Sequence, residues 1–186
     1  MKYWNFLFFL LFSAICHEST PQSFKKMPDN NWWTSSNLNI EIPGSYCYND
    51  SVINCEKYGR LYTWPAAQKG CSLLGDGWHL PSTKEWHTLL NDFGGAFEEG
   101  LSDGKNAFDI MLRRESPALG ATLAGNRNSD GTYSRIEAHG FYWTSTPFDD
   151  TTAGFLNFAN GRKVLFLQPD MEKTRAISVR CIKSSL

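Results

Sequence analysis

The 186-residue sequence has no basic stripe: 18 Lys+Arg stand against 19 Asp+Glu, for a net charge of −1. A near-neutral chain without a clustered positive face gives no electrostatic case for nucleic acid or an anionic membrane surface as a partner. It also has no apolar run of the roughly 20 residues that a membrane-spanning helix requires. No Cys-x-x-Cys pair is present, and the four histidines (17, 79, 87 and 139) lack the i, i+4 spacing of zinc ligands. Ser145 is not set in a Gly-x-Ser-x-Gly elbow. No catalytic constellation emerges from these residues. The expectation is therefore no catalytic residue, no metal and no cofactor, and a binding module rather than an enzyme.

What is present begins with an export signal. Met1 and Lys2 lead into an apolar core over 6–12, and the run ends at Cys16 before the polar stretch His17-Glu18-Ser19-Thr20-Pro21-Gln22. A short charged start, a short apolar centre and an abrupt polar turn are the signature of a cleaved leader. Leu11-Phe12-Ser13-Ala14-Ile15-Cys16 resembles the lipobox of bacterial lipoproteins, in which the cysteine becomes the lipidated first residue. Ile15 departs from the small residue usual before that cysteine, so ordinary cleavage that discards Cys16 stands as the rival. The favoured expectation is lipidation at Cys16 and a bacterial outer-membrane or cell-surface location, with the membrane touched only through the anchor. The alternative is a secreted form. Residues 17–31 hold two prolines, Lys25-Lys26 and Asp29-Asn30-Asn31, and read as a flexible tether, leaving 32–186 as one extracellular domain.

Losing Lys2 with the leader leaves 17 of the 18 Lys+Arg against 19 Asp+Glu. Six tryptophans remain, at 32, 33, 64, 78, 86 and 143, which implies an aromatic core, an aromatic binding surface, or both. Cys47, Cys55, Cys71 and Cys181 are an even set in an exported chain and argue for two disulfides rather than metal ligation. Four cysteines allow three connectivities. One of them joins Cys47 to Cys55 and Cys71 to Cys181. Loop entropy would make its long bridge worth about 4.7 kcal/mol and its short one roughly 2.6 kcal/mol.

Local signals place two helices. Thr63 precedes a first turn that accepts Pro65, and Trp64, Ala67, Cys71 and Leu74 follow at helical intervals. Gly75-Asp76-Gly77 breaks this helix, and Trp78-His79-Leu80 reads as a short strand. Ser82 and Glu85 then form a capping box for a second helix with its apolar stripe at Trp86, Leu89, Leu90 and Phe93, ended by Gly94-Gly95. A further helical segment spans about 106–114. Strands are expected over 121–124, 132–136, 141–146, 154–157, 164–167 and 176–182, with Asn160-Gly161 as a hairpin turn. The class is α+β: two helices packed on antiparallel strands.

Several segments together carry a family resemblance. Tyr46-Cys47-Tyr48-Asn49-Asp50, the stretch Cys55-Glu56-Lys57-Tyr58-Gly59-Arg60-Leu61-Tyr62-Thr63-Trp64, and Gly77-Trp78-His79-Leu80-Pro81-Ser82 with Glu85-Trp86 resemble the Fibrobacter succinogenes major paralogous (FISUMP) domain. So do Leu123-Ala124-Gly125-Asn126-Arg127, Tyr142-Trp143-Thr144-Ser145-Thr146 and Ser178-Val179-Arg180-Cys181, in a match running from about Ile42 to Lys183. The resemblance implies an extracellular or lipoprotein setting and the bridges Cys47–Cys55 and Cys71–Cys181. It implies no reaction. The spacing Trp64-x-x-Ala67-x-x-x-Cys71, then Gly77 and Leu80, is more distantly similar to the start of a C-type lectin-like domain. There too a first-helix cysteine pairs with the last strand. The formylglycine-generating (sulfatase-modifying) enzymes share a related fold. The lectin motifs Glu-Pro-Asn and Trp-Asn-Asp are absent, since Thr144-Ser145 follows Trp143.

The functional expectation is a surface module that recognises a glycan or protein ligand. An extracellular relative of the formylglycine-generating enzymes and a structural envelope component are the alternatives. The ligand surface is expected in the irregular region 94–140, with Asn126, Asn128, Asp130 and Tyr133 as the binding residues. The pattern Asn126-x-Asn128-x-Asp130-Gly131-x5-Glu137 fits a calcium loop except at its first position. Its flanks read as strands, so a hairpin is the simpler account. His79 is expected to be a core or packing residue, and buried salt bridges account for Arg127 and Arg180 as well as ligand contacts do.

Overall fold

Trp33, Trp86, Tyr142 and Phe158 follow one another through the centre of the domain, each against the next. Their ring centroids are 4.9, 5.9 and 5.9 Å apart. All four side chains are buried. The structure, a computed structural model, describes residues 22–95, 105–113, 115 and 118–185. Indole N–H groups are costly to bury unpaired, and each buried tryptophan here finds an acceptor. Trp33 donates to Asp29 Oδ2 at 2.9 Å, Trp86 to the Trp143 carbonyl at 3.2 Å and Trp143 to the Tyr62 carbonyl at 2.7 Å.

Four α-helices and eleven strands occur among the described residues. Strands β1 (Phe24–Lys26), β2 (Trp32–Thr34), β5 (Trp78–His79) and β11 (Ile182–Lys183) form an antiparallel sheet in the order β1-β2-β11-β5, which brings both ends of the domain together. Strands β8 (His139–Pro147), β9 (Thr152–Ala159) and β10 (Leu165–Glu172) form an antiparallel meander. Two small ribbons complete the sheets: β3 (Ser45–Tyr46) with β4 (Leu61–Tyr62), and β6 (Asn126–Arg127) with β7 (Tyr133–Ser134).

The helices are α1 (Val52–Tyr58), α2 (Trp64–Ser72), α3 (Thr83–Asp92) and α4 (Lys105–Leu112). The Ser82 capping box is formed: its hydroxyl accepts from Glu85 N–H while the Glu85 carboxylate accepts from Ser82 N–H. Helix α2 buries Ala66, Ala67, Gly70 and Cys71, so it approaches its neighbours closely through small residues. A Cβ at Gly70 would lie 2.7 Å from Leu38 Cδ2. Both disulfides join the expected partners, Cys47–Cys55 across 8 residues and Cys71–Cys181 across 110. The long bridge ties α2 to the segment leading into β11.

Several expectations are corrected. Residues 22–31 do not form a free tether. β1 pairs with β2, Met27 is buried, and Asp29 holds the Trp33 indole. Residues 1–21, with the leader, Cys16 and the rest of the expected tether, lie outside the described residues. Helix α1 has no counterpart in the sequence signals, because its aliphatic residues Val52 and Ile53 face solvent and leave no buried apolar stripe. The stretch 121–124 is not a strand: Thr122 N–H donates to the Tyr142 hydroxyl, and the Ala121 and Leu123 backbones bond to Met111 and Glu137. The expected strand 176–182 instead threads between sheets. It makes isolated bridges to Tyr62, Arg127 and Tyr142 before pairing as β11.

Candidate functional site

Four residues expected to bind ligand do come together, but their polar atoms are engaged by neighbours in the fold. Asn126 and Tyr133 lie on the β6–β7 hairpin, with Asn128 and Asp130 in the turn between. Asn126 is buried; its Oδ1 accepts from Ser134 Oγ and its amide donates to Asn128 Oδ1. Asn128 Oδ1 also takes Arg175 Nη2 at 2.6 Å, and its amide donates to Thr132 Oγ1. Asp130 Oδ1 accepts from the backbone and hydroxyl of Thr132, and the Thr132 backbone bond leads the causes that hold this carboxyl below its ordinary value. Tyr133 donates to Asp50 Oδ1 and packs on Tyr48. Burial, followed by that Asp50 bond, pushes its hydroxyl up to about 12. The same groups that suit a ligand also satisfy a hairpin, and here they satisfy the hairpin.

A different place in the fold offers an open concavity. A cleft of about 440 Å³ lies between the β1 end of the four-stranded sheet, the segment 35–39, the C-terminal half of α1 and the 120–122 segment. Arg180 forms its floor. This side chain is fully buried, and its guanidinium makes four hydrogen bonds. Nε donates to Asn37 Oδ1 at 2.8 Å, Nη1 to the Thr34 and Leu119 carbonyls at 2.8 and 3.0 Å, and Nη2 to the Gly120 carbonyl at 2.6 Å. All four acceptors are neutral. No carboxylate pairs with Arg180 among the described residues. A buried ion without a counter-charge is expensive and is held only where the geometry supplies its bonds. Burial lowers the basicity of the guanidinium, and Tyr142 partly restores it.

The support around Arg180 is closely built. Asn37 Oδ1 also accepts from the Tyr142 hydroxyl at 3.0 Å, while the Asn37 amide donates to the Tyr58 carbonyl and Thr122 Oγ1. Gly59, at φ +76°, ends α1 where a Cβ would stand 2.6 Å from Asn37 Cβ, so glycine lets the helix end meet the segment that carries Asn37. The short disulfide places Cys55 in the cleft wall and holds α1 against the 3₁₀ turn Tyr48–Asp50. At the rim, Glu137 accepts from Tyr58 Oη at 2.6 Å and from Lys57 Nζ at 2.9 Å. The Tyr58 and then the Lys57 bond hold this carboxyl low.

Lys25, from edge strand β1, also lines the cleft. Its ammonium has no hydrogen bond or ion pair among the described residues, and partial burial followed by the charge of Arg180 lowers its pKa. Ser35, Ser36, Asn39 and Thr122 add hydroxyl and amide groups, and Glu56 stands on the α1 side.

The other singled-out residues have local roles. His79 is not a core residue: its side chain is half-exposed and its Nε2 meets Glu85 Oε1 at 2.8 Å. Arg127 forms no salt bridge among the described residues and stacks over the Tyr46 ring at 4.1 Å. His139 stacks on Phe141, and the Ser145 backbone N–H donates to the Pro81 carbonyl. Among the described residues no group of three or more His, Cys, Asp and Glu is placed to hold a metal ion. No described helix is long and apolar enough to cross a membrane.

The motif Ser178-Val179-Arg180-Cys181 flags Arg180 in the sequence, but nothing near it there identifies its partners. Asn37 lies 143 residues away and Leu119 61 residues away. Lys25 falls in what reads as a tether. No curated protein and no solved structure matches the chain. The bridges Cys47–Cys55 and Cys71–Cys181, the Trp143 strand and the Arg180 segment all lie within residues 29–183, over which the sequence matches the family model of the Fibrobacter succinogenes major domain (Fib_succ_major), and the chain belongs to that family.

Proposed function

We propose that this chain is an exported, lipid-anchored surface protein of a bacterium whose domain binds a glycan or protein ligand. The observation that carries the reading is the cleft above Arg180, an open space of about 440 Å³ lined with hydroxyls, amides and a lysine whose ammonium is unpaired among the described residues. That volume falls within the roughly 300–1,000 Å³ of small-molecule sites, whose walls are usually largely pre-formed. Here both disulfides and the Asn37–Tyr142–Arg180 network brace the surroundings. We place the ligand there rather than on the β6–β7 hairpin, because Asn126, Asn128, Asp130 and Tyr133 already bond within the fold, whereas the Lys25 ammonium in the cleft has no partner among the described residues.

A C-type lectin-like architecture fits the bridge from α2 to the last strand and the pairing of the domain's two ends through β2 and β11. The alternative of an extracellular enzyme related to the formylglycine-generating group would be favoured by a free thiol, and all four domain cysteines are bridged. A glycan and matrix-protein array tests the reading. Binding by the wild type that is lost in Lys25→Glu with unchanged melting supports it, and an array without any hit refutes it. Palmitate labelling that disappears in Cys16→Ala tests the anchor; a soluble form beginning at His17 would contradict it.

A further inference from the structure

We infer that the cleft selects an acidic sugar, with Lys25 contacting the anionic group of the ligand over the buried positive charge of Arg180. The inference rests on the proposed binding role and adds the class of ligand. Two cations face this space, Lys25 from β1 and Arg180 from the floor, and neither has a carboxylate partner among the described residues. The third cation lining the cleft, Lys57, is engaged by Glu137 at 2.9 Å. Glu56 supplies one negative charge on the opposite wall, so the cleft as a whole remains positive.

Arg180 cannot turn toward a ligand, since four hydrogen bonds to fixed acceptors hold it. Its part is to set the potential, which low-dielectric walls focus into the opening. Lys25 is half-buried and its ammonium has no partner among the described residues, with a flexible stem and three donors. An oxyanion bonded to its ammonium would relieve the repulsion it feels from Arg180. The remaining walls favour a sugar over a peptide side chain. Ser35, Ser36, Asn39 and Thr122 line them with hydroxyl and amide groups; the three hydroxyls each hold one bond, to Ser23, Gln22 and Asn37, and keep further donor or acceptor capacity, and the lining has no cluster of aliphatic side chains. The anion is the carboxylate of a uronic acid or a sulfate ester, both singly charged oxyanions on a sugar ring.

The test is calorimetric titration of the purified protein with three probes: an oligogalacturonic acid, a sulfated oligosaccharide and a neutral oligosaccharide of the same length. At least one acidic probe is expected to bind tenfold or more tightly than the neutral one, with the difference shrinking as salt rises. Which acidic probe binds identifies the anion. Lys25→Gln should erase the preference without shifting the melting temperature, and Lys25→Arg should keep it. The Lys25 amine, followed by NMR, should titrate at higher pH with the acidic probe bound. Equal affinity for acidic and neutral probes would overturn the inference while leaving the binding role intact. So would acidic binding that survives Lys25→Gln unchanged. If none of the three probes binds but a protein ligand does, the acidic-sugar inference again falls alone. If no glycan or protein binds at all, the binding role falls with it.

Discussion

Replacing Arg180 with methionine keeps much of the side chain's volume but removes every donor at the cleft floor. Four acceptors then lose the guanidinium: the carbonyls of Thr34, Leu119 and Gly120, and Asn37 Oδ1, which keeps only the Tyr142 hydroxyl. A hydrogen bond to a charged group contributes about 1.5–3 kcal/mol, so the four together represent roughly 6–12 kcal/mol before any compensation. Removing a buried cation that has no carboxylate partner among the described residues returns several kcal/mol of desolvation cost. The net loss expected for Arg180→Met is therefore about 4 kcal/mol, within the stability of a typical domain. With a denaturant slope near 2 kcal/mol/M, the urea midpoint should fall by about 2 M. Arg180→Lys keeps the charge, but a compact ammonium with three donors cannot span four acceptors placed for a planar guanidinium, so it should be nearly as damaging. An Arg180→Met protein within about 1 kcal/mol of wild type would refute the view that this guanidinium holds the segments around the cleft together.

Removing the long bridge as Cys71→Ala with Cys181→Ala should cost about 4.8 kcal/mol by the loop-entropy relation. Removing the short bridge should cost roughly half as much on the same scale, and thermal melts of the two variants give the order. The His79–Glu85 contact makes stability depend on pH. Burial opposes the charged form of His79, but the Glu85 bond, the Gly77 carbonyl and the Glu85 charge outweigh it and raise the pKa above 6.5. Burial likewise opposes the Glu85 carboxylate, but the Ser82 and His79 bonds outweigh it and lower the pKa below 4.5. The histidine's contribution is complete below pH 6.5 and fades as pH rises through its folded value. The carboxylate's contribution is complete above pH 4.5 and fades as pH falls through its folded value. Stability relative to His79→Gln should thus be greatest between these limits, and a flat difference across about pH 4–8 would contradict it. Gly140→Ala should destabilise by about 1–3 kcal/mol, because its Cβ would run into the buried Phe158 ring. A melt unchanged from wild type would contradict that packing.

Much of the helical frame is legible in the sequence, and for local reasons. The Ser82 capping box, the Trp86–Phe93 stripe and the glycines after α2 and α3 each act within a few residues, and the structure places them as the sequence implies. The disulfide pairs are legible only through the family resemblance. The four-stranded sheet is not, because β1 and β2 lie near one end of the domain and β11 at the other. Their strands are two or three residues long, too short for an alternating pattern to register. Helix α1 escapes a periodicity reading because a disulfide anchors it, with only Cys55 and Tyr58 buried. The cleft is least legible of all. Its lining comes from segments 22–25, 35–39, 55–59, 120–122 and residue 180, and Arg180 takes neutral acceptors among the described residues where the sequence leaves open a buried salt bridge or a ligand contact. The hairpin stands out in the sequence because its polar residues are close together, which is also why they satisfy each other.

Amide chemical-shift mapping tests the cleft most directly, with the wild-type protein titrated by the tightest-binding acidic oligosaccharide or array hit. The largest perturbations should fall in 35–39, 55–59 and 120–122 together with Lys25, while Asn126, Asn128, Asp130 and Tyr133 stay unperturbed. Perturbations centred on those four hairpin residues, or on the exposed rings of Phe24 and Trp32, would place the ligand elsewhere and contradict it.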